Sequence, residues 1–283
     1  PIPHILQGIP LKVRDIRVYV DKPEFTLNPT SCEPSATKAT LWAGGSNVFS
    51  SADDTPHSAS ARFQAADCAS LGFKPKLKLT LKGGAKRGGH PALRGEFKPR
   101  KGDANLRKLV LRLPHSAFLD QAHIRTICTR VQFNEGAGNG GGCPAGAIYG
   151  HATAYTPLLE APLEGPVYLR SSSHNLPDFV AALHGLIDVE AVARIDSVHG
   201  GIRATFTQVP DAPLSKVVVS MQGGKKGLIV NSTNLCAATQ HANASYTAHN
   251  GKQAGGKPVV KAVGCKSKEK GKRAAHGRRG GGR

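Results

Sequence analysis

Six cysteines, at positions 32, 68, 128, 143, 236 and 265, constrain this chain more than any other feature, because no two stand closer than 15 residues. That spacing contains no C-x-x-C pair, which argues against a zinc site and against a thioredoxin-like redox pair. An even, widely spaced set is expected of disulfides. Six cysteines allow fifteen connectivities. Chain order favours three local ones, Cys32 with Cys68, Cys128 with Cys143 and Cys236 with Cys265. Each bridge contributes about 3–4 kcal/mol on the loop-entropy model. Disulfides persist in oxidising compartments, so a secreted or cell-envelope location is expected. The alternative is six reduced, buried thiols in a cytosolic protein.

The sequence around the cysteines recurs. Residues 16–20 and 25–27 lead to Asn28, Thr30 and Cys32; residues 217–221, the glycine-rich 223–227 and residues 228–230 lead to Asn231, Thr233 and Cys236. A looser copy runs from 109–113 through Pro114 to Cys128. Each reads as strand, turn, short strand, cysteine. Asn28 and Asn231 are expected in Asx turns, where the side chain bonds backbone two residues on. Further β-prone runs at 166–170, 186–189, 202–206 and 217–219 sit between Gly, Pro, Asn and Ser clusters. Residues 178–184, with Pro177 before and Gly185 after, read as a short helix or else a strand. Closely spaced strands predict an all-β chain of tandem β-sandwich-like modules with local disulfides and a disordered basic C-terminal tail. The expected units are residues 1–105, 106–209 and 210–265, followed by a tail at 266–283.

Those recurring segments, with residues 143–150, 156–159, 162–169, 209–213 and 223–227, resemble an uncharacterised family of bacterial secreted proteins built from repeated β-rich modules. The resemblance covers about residues 8–265. It implies export and modular β architecture, and it brings no activity or catalytic residues with it. Pro1 in place of Met is expected of a mature form or a fragment.

Charge is the second constraint. The chain carries 38 Lys and Arg against 19 Asp and Glu, a formal +19. Residues 74–112 hold 13 basic and 2 acidic residues, and 266–283 hold 8 and 1, so the remainder is near neutral. In 76–82, Leu77, Leu79 and Leu81 alternate with Lys76, Lys78, Thr80 and Lys82, the period of a half-buried strand. Residues 108–113 repeat the pattern with Lys108 and Arg112 outward, and Lys86 and Arg87 lie in the glycine-rich loop between. If the two strands share a sheet, one face becomes a cationic lattice. Like charges opposed across a sheet destabilise it, so an anionic partner is expected; the alternative is lysines guarding an edge strand. The tail, with Lys270, Lys272 and Arg273, has no Val, Ile, Leu or aromatic residue to bury and is expected to be disordered.

Known catalytic signatures are missing. Residues 136–141 match G-x-G-x-x-G in form without the strand and helix a dinucleotide site needs, and no Walker A loop, H-E-x-x-H or G-x-S-x-G occurs. No cofactor and no metal are expected. His123, His174, Asp178 and His199, with Asp120, His151, His184 and Asp196, form a central His/Asp set without a recognised spacing; surface or turn histidines are the preferred reading. The expected function is therefore an exported, envelope-associated structural or binding protein. It would contact an acidic cell-wall polymer or polysaccharide through 74–112 and the tail. Only Phe73 and Phe97 lie in or beside that basic segment, which argues against base stacking and sequence-specific nucleic acid. The alternatives are a secreted hydrolase using the His/Asp residues and an adhesin or filament subunit. No transmembrane segment is expected, since no run of about 18 apolar residues exists.

Overall fold

A computed structural model describes residues 5–11, 14–19, 26–42, 56–135, 139–198 and 201–265. The chain is all-β. β1 (Ile5–Leu6) and β2 (Ile9–Pro10) form a small hairpin, and β3 (Ser35–Trp42) with β4 (Pro56–Phe63) forms a longer two-stranded ribbon. There follow β5 (Lys76–Lys82), β6 (Ala92–Lys98), β7 (Leu106–Arg112), β8 (Ala117–Leu119), β9 (Ile148–Tyr155), β10 (Leu163–Arg170) and β11 (Asp178–Leu183). Then come β12 (Val189–Val198), β13 (Gly201–Phe206), β14 (Lys216–Met221), β15 (Ile229–Asn231), β16 (Gln240–His241), β17 (Asn243–Ala248), β18 (Gln253–Gly256) and β19 (Val259–Val263). Among the described residues the single α-helix is α1 (Arg130–Asn134), and no helix is long and apolar enough to cross a membrane.

Thirteen strands make one sheet in the order β16-β19-β5-β6-β14-β9-β10-β11-β12-β13-β7-β17-β18. Two devices curl it. β12 pairs with β11 through Val189 to Ala193 and with β13 through Arg194 to Val198, so one strand passes from one layer to the other. At the opposite side, Thr247↔Gln253, Ala244↔Gly256, His241↔Val259 and Gln240↔Val260 keep one register, and Ala242 N–H donates to Pro258 O at 3.0 Å. β16/β17 and β18/β19 are thus a single bent hairpin. Its β17 arm pairs with β7 and its β19 arm runs parallel to β5, which joins the two ends of the sheet.

The core lies between the layers. Leu79, Leu81 and Val260 meet Ile195, Ile202 and Ala242, while Phe97 of β6 meets Leu109 of β7 and Tyr246 of β17. The alternation read in residues 76–82 and 108–112 is observed: leucines inward, Lys76, Lys78, Lys82, Lys108 and Arg112 exposed. The Cys128–Cys143 loop carries Phe133, which packs with Tyr168, Val180 and Ala182 on the outer side of β10 and β11.

All three local disulfides form, with Cα separations of 5.7, 5.2 and 5.5 Å for Cys32–Cys68, Cys128–Cys143 and Cys236–Cys265. Strand pairing, however, crosses every expected module boundary. β6 pairs with β14, β14 with β9, and β7 with β17. A segment of a few strands leaves open edges, and pairing with strands from distant segments closes them. Residues 178–183 are a strand and not a helix. As a central strand, β11 is apolar on both faces, which erases the two-residue period that would have identified it. Asn231 makes no Asx turn: it is buried, and its Nδ2 donates to Gly84 O at 2.6 Å. Asn234 takes that role, its Oδ1 accepting from Cys236 N at 3.0 Å. The tail, with Lys270, Lys272 and Arg273, and His199 lie outside the described residues.

Candidate polyanion face and a histidine–aspartate cluster

On the outer side of the sheet, register decides which cations meet. Leu77 opposite Phe97 points into the core, so Lys76 and Lys98, directly opposite each other, both point out. Lys78 lies opposite Glu96 with Nζ–Oε1 at 3.8 Å, and Thr80 lies between Arg94 of β6 and Lys261 of β19. Arg94 lies opposite Ser220 of β14 and donates to its Oγ at 3.2 Å. Lys216 begins β14, its Nζ 4.2 Å from the centroid of the Tyr155 ring. Across β19, β5, β6 and β14 this face holds Lys76, Lys78, Lys82, Arg94, Lys98, Lys216 and Lys261, with Glu96 as its acid among the described residues. At the end of β5, Lys82 and Lys86 line an open depression of about 700 Å³ with Gly83, Gly84 and Val263. Arg87 is exposed on the same loop.

Lys108 and Arg112 are not part of this face. β7 belongs to the facing layer; Leu109 and Leu111 point toward the leucines of β5, so their neighbouring cations point the other way. The single cationic lattice expected from sequence is therefore two surfaces. On the second, Arg112 stands opposite Arg203, which bonds Asp196 at 2.9 Å. Burial raises the Asp196 carboxyl, and the bonds from Arg203 and Arg194 outweigh it, leaving the pKa below the ordinary range. Arg94 and Lys98 fall outside the cations expected from sequence, although residues 92–98 alternate. Lys261 carries no local signal, since its place follows from a parallel pairing with a strand about 180 residues earlier.

The central His/Asp set divides. His174 Nε2 lies 2.9 Å from Asp178 Oδ1, but Ser172 Oγ donates to the carbonyls of His174 and Leu176, so that hydroxyl closes a turn and is not aligned on an imidazole. His184 meets Asp188 at the surface at 3.1 Å, and His151 is exposed on β9.

His123 joins a different group. The β8–β15 pairing continues into the Asp120 N–H to Leu228 O bond, and Asp120 then caps a 3-10 turn over Gln121–His123. Asp120 Oδ1 accepts from Ala122 N, while Oδ2 faces His90 Nε2 at 2.7 Å and His123 Nε2 at 3.9 Å. The two imidazoles stack with centroids 4.2 Å apart. The hydrogen bond from His90, chiefly, holds the Asp120 carboxyl below its usual range, against the opposing effect of burial. Glycines make room for the group. Gly224 N–H donates to His90 O, and a Cβ on Gly227 would stand 2.8 Å from His90 Cβ. In sequence His90 stands after the glycine-rich stretch 83–89, and nothing in the spacing of 90, 120 and 123 signals a site.

Comparison with family models, curated proteins and solved structures finds no match to this chain.

Proposed function

We propose that the protein is an exported, envelope-associated binding protein that holds an acidic cell-wall polymer or polysaccharide against the outer face of β19, β5, β6 and β14. The observation that carries this reading is seven Lys and Arg side chains on one sheet face, offset by Glu96. Lys76 opposed to Lys98 costs the sheet stability that a bound polyanion returns. Along β5 the outward positions recur about every 6.8 Å, two strand residues, which suits a repeating anion better than a single one. Among the described residues the aromatic ring beside the face is Tyr155, which Lys216 covers, so no stacking platform for bases accompanies the charge there. Three disulfides support export. The basic tail adds a second tether to the same class of partner.

Binding of the full chain to an acidic wall polymer, titrated with salt, tests the reading. Affinity is expected to fall linearly on a log–log plot as counterions are released. Reversing Lys76, Lys82 and Arg94 to Glu is expected to reduce the salt slope by about one per residue. Reversing Lys108 instead leaves it near wild type. Salt-independent binding, or binding lost on deleting 266–283 and untouched by the β5–β6 reversals, would sink the assignment to this face.

A further inference from the structure

We propose that His90, Asp120 and His123 form a binding site for a divalent transition-metal ion of the Zn²⁺ class. One ligand atom from each lies within 4.8 Å of the others, and all three side chains are about one-fifth exposed, sheltered yet reachable from solvent. The Asp120 Oδ2 distances to the two histidines, 2.7 and 3.9 Å, straddle the roughly 3.4 Å that separates donors on a tetrahedral ion with bonds of about 2.1 Å. Small side-chain rotations close the site.

Orientation is the second argument. His123 Nδ1 lies 2.8 Å from Gly227 O. A carbonyl only accepts, so Nδ1 carries a proton, and in the neutral ring that leaves the Nε2 lone pair turned toward Asp120. Such a bond to the far nitrogen is how ligating histidines are usually held. Asp120 is held likewise, with Oδ1 engaged by Ala122 N and Oδ2 turned to the histidines. His90 Nε2 donates to that same oxygen; on metal binding the ring shifts to its Nδ1–H tautomer, the proton exchanging through solvent, and the freed Nε2 lone pair takes the ion. Imidazole with carboxylate suits Zn²⁺, Cu²⁺ or Ni²⁺ over Ca²⁺ or Mg²⁺, which want oxygen alone. All six cysteines are in disulfides, so no thiolate competes. Three protein ligands leave a fourth position for water or a ligand oxygen.

The site also gives a use to the 223–227 glycine run. Gly227 supplies the carbonyl for His123 and the space for His90, while Gly224 anchors the His90 backbone.

The test is titration of the chelator-stripped, disulfide-intact full chain with Zn²⁺ by calorimetry, paired with the visible spectrum of the Co²⁺ form. One ion per chain and the d–d bands of a four- or five-coordinate cobalt are expected. His90→Gln, Asp120→Asn and His123→Gln should each weaken binding by at least ~100-fold, above the ~10–100-fold that orienting partners carry. His174→Gln should bind as wild type. No uptake by the wild-type chain, a six-coordinate cobalt spectrum, or wild-type affinity in the three ligand variants would overturn the proposal. The cobalt spectrum is read on wild-type protein, so it decides the matter even if a variant fails to fold.

Discussion

Asp211 shows what a single residue can join. Its carboxylate accepts from Thr30 N at 2.8 Å, Thr30 Oγ1 at 2.6 Å, Ser31 N at 2.9 Å and Asn105 Nδ2 at 2.8 Å, binding the segment before Cys32 to the strand body. Burial raises its pKa, but the hydrogen bonds outweigh burial and hold it below the ordinary range. Because the folded value lies below the unfolded one, the contribution is full above about pH 4 and is lost as pH falls through the folded value. Asp211→Asn should therefore cost at least about 2 kcal/mol at neutral pH, as the charge is lost and one oxygen that accepts two bonds becomes an NH2 facing donors. Urea melts of both proteins should converge below about pH 4; a difference unchanged by acid would refute this account. Gly227→Ala is expected to weaken Zn²⁺ affinity by ~10–100-fold, since the added methyl displaces His90 without removing a ligand. Unchanged affinity in calorimetry would show that this glycine does not set the ring.

Elements were legible where one face is wet. β5 and β7 could be read in sequence because leucine alternates with Lys and Arg, and the structure keeps that phase. β11 could not, because both its faces are covered. α1 was missed although Thr129 and Gln132 form a capping box, a signal present in the sequence as T-x-x-Q. The Cys128–Cys143 bridge closes the loop that seats Phe133 on β10 and β11. Replacing both cysteines with alanine should cost about 3 kcal/mol, the loop-entropy value for some 15 residues. The far-UV β signature should persist, since the sheet beneath is paired independently; its loss would mean that the loop, and not the ladder, organises those strands. Leu79→Ala, at a core position 2% exposed, should cost about 2–5 kcal/mol in urea melts.

At the scale of the whole molecule, the decisive feature is that strands from all three disulfide-bearing segments share one sheet and one core. Unfolding in urea should be a single cooperative transition, with tyrosine fluorescence and far-UV signals coinciding. Three resolved transitions would restore independent modules. The bent hairpin of β16 to β19 completes both layers, so a chain ending at residue 239 should lose the tertiary fold and not merely those four strands.

By itself the sequence determined the strand class, the three local disulfides and the phase of the cationic strands. These follow from short-range rules: side-chain alternation has a period of two, and cysteines near in sequence find each other at low loop-closure cost. Only the tertiary structure decided that Lys108 and Arg112 face away from Lys76 and Lys78, that Arg94, Lys98 and Lys261 join the β5 face, and that His90 meets Asp120 and His123. Those neighbours are set by which distant strand pairs with which, and strand order is chosen by closure of one shared core, a property no local stretch of sequence contains.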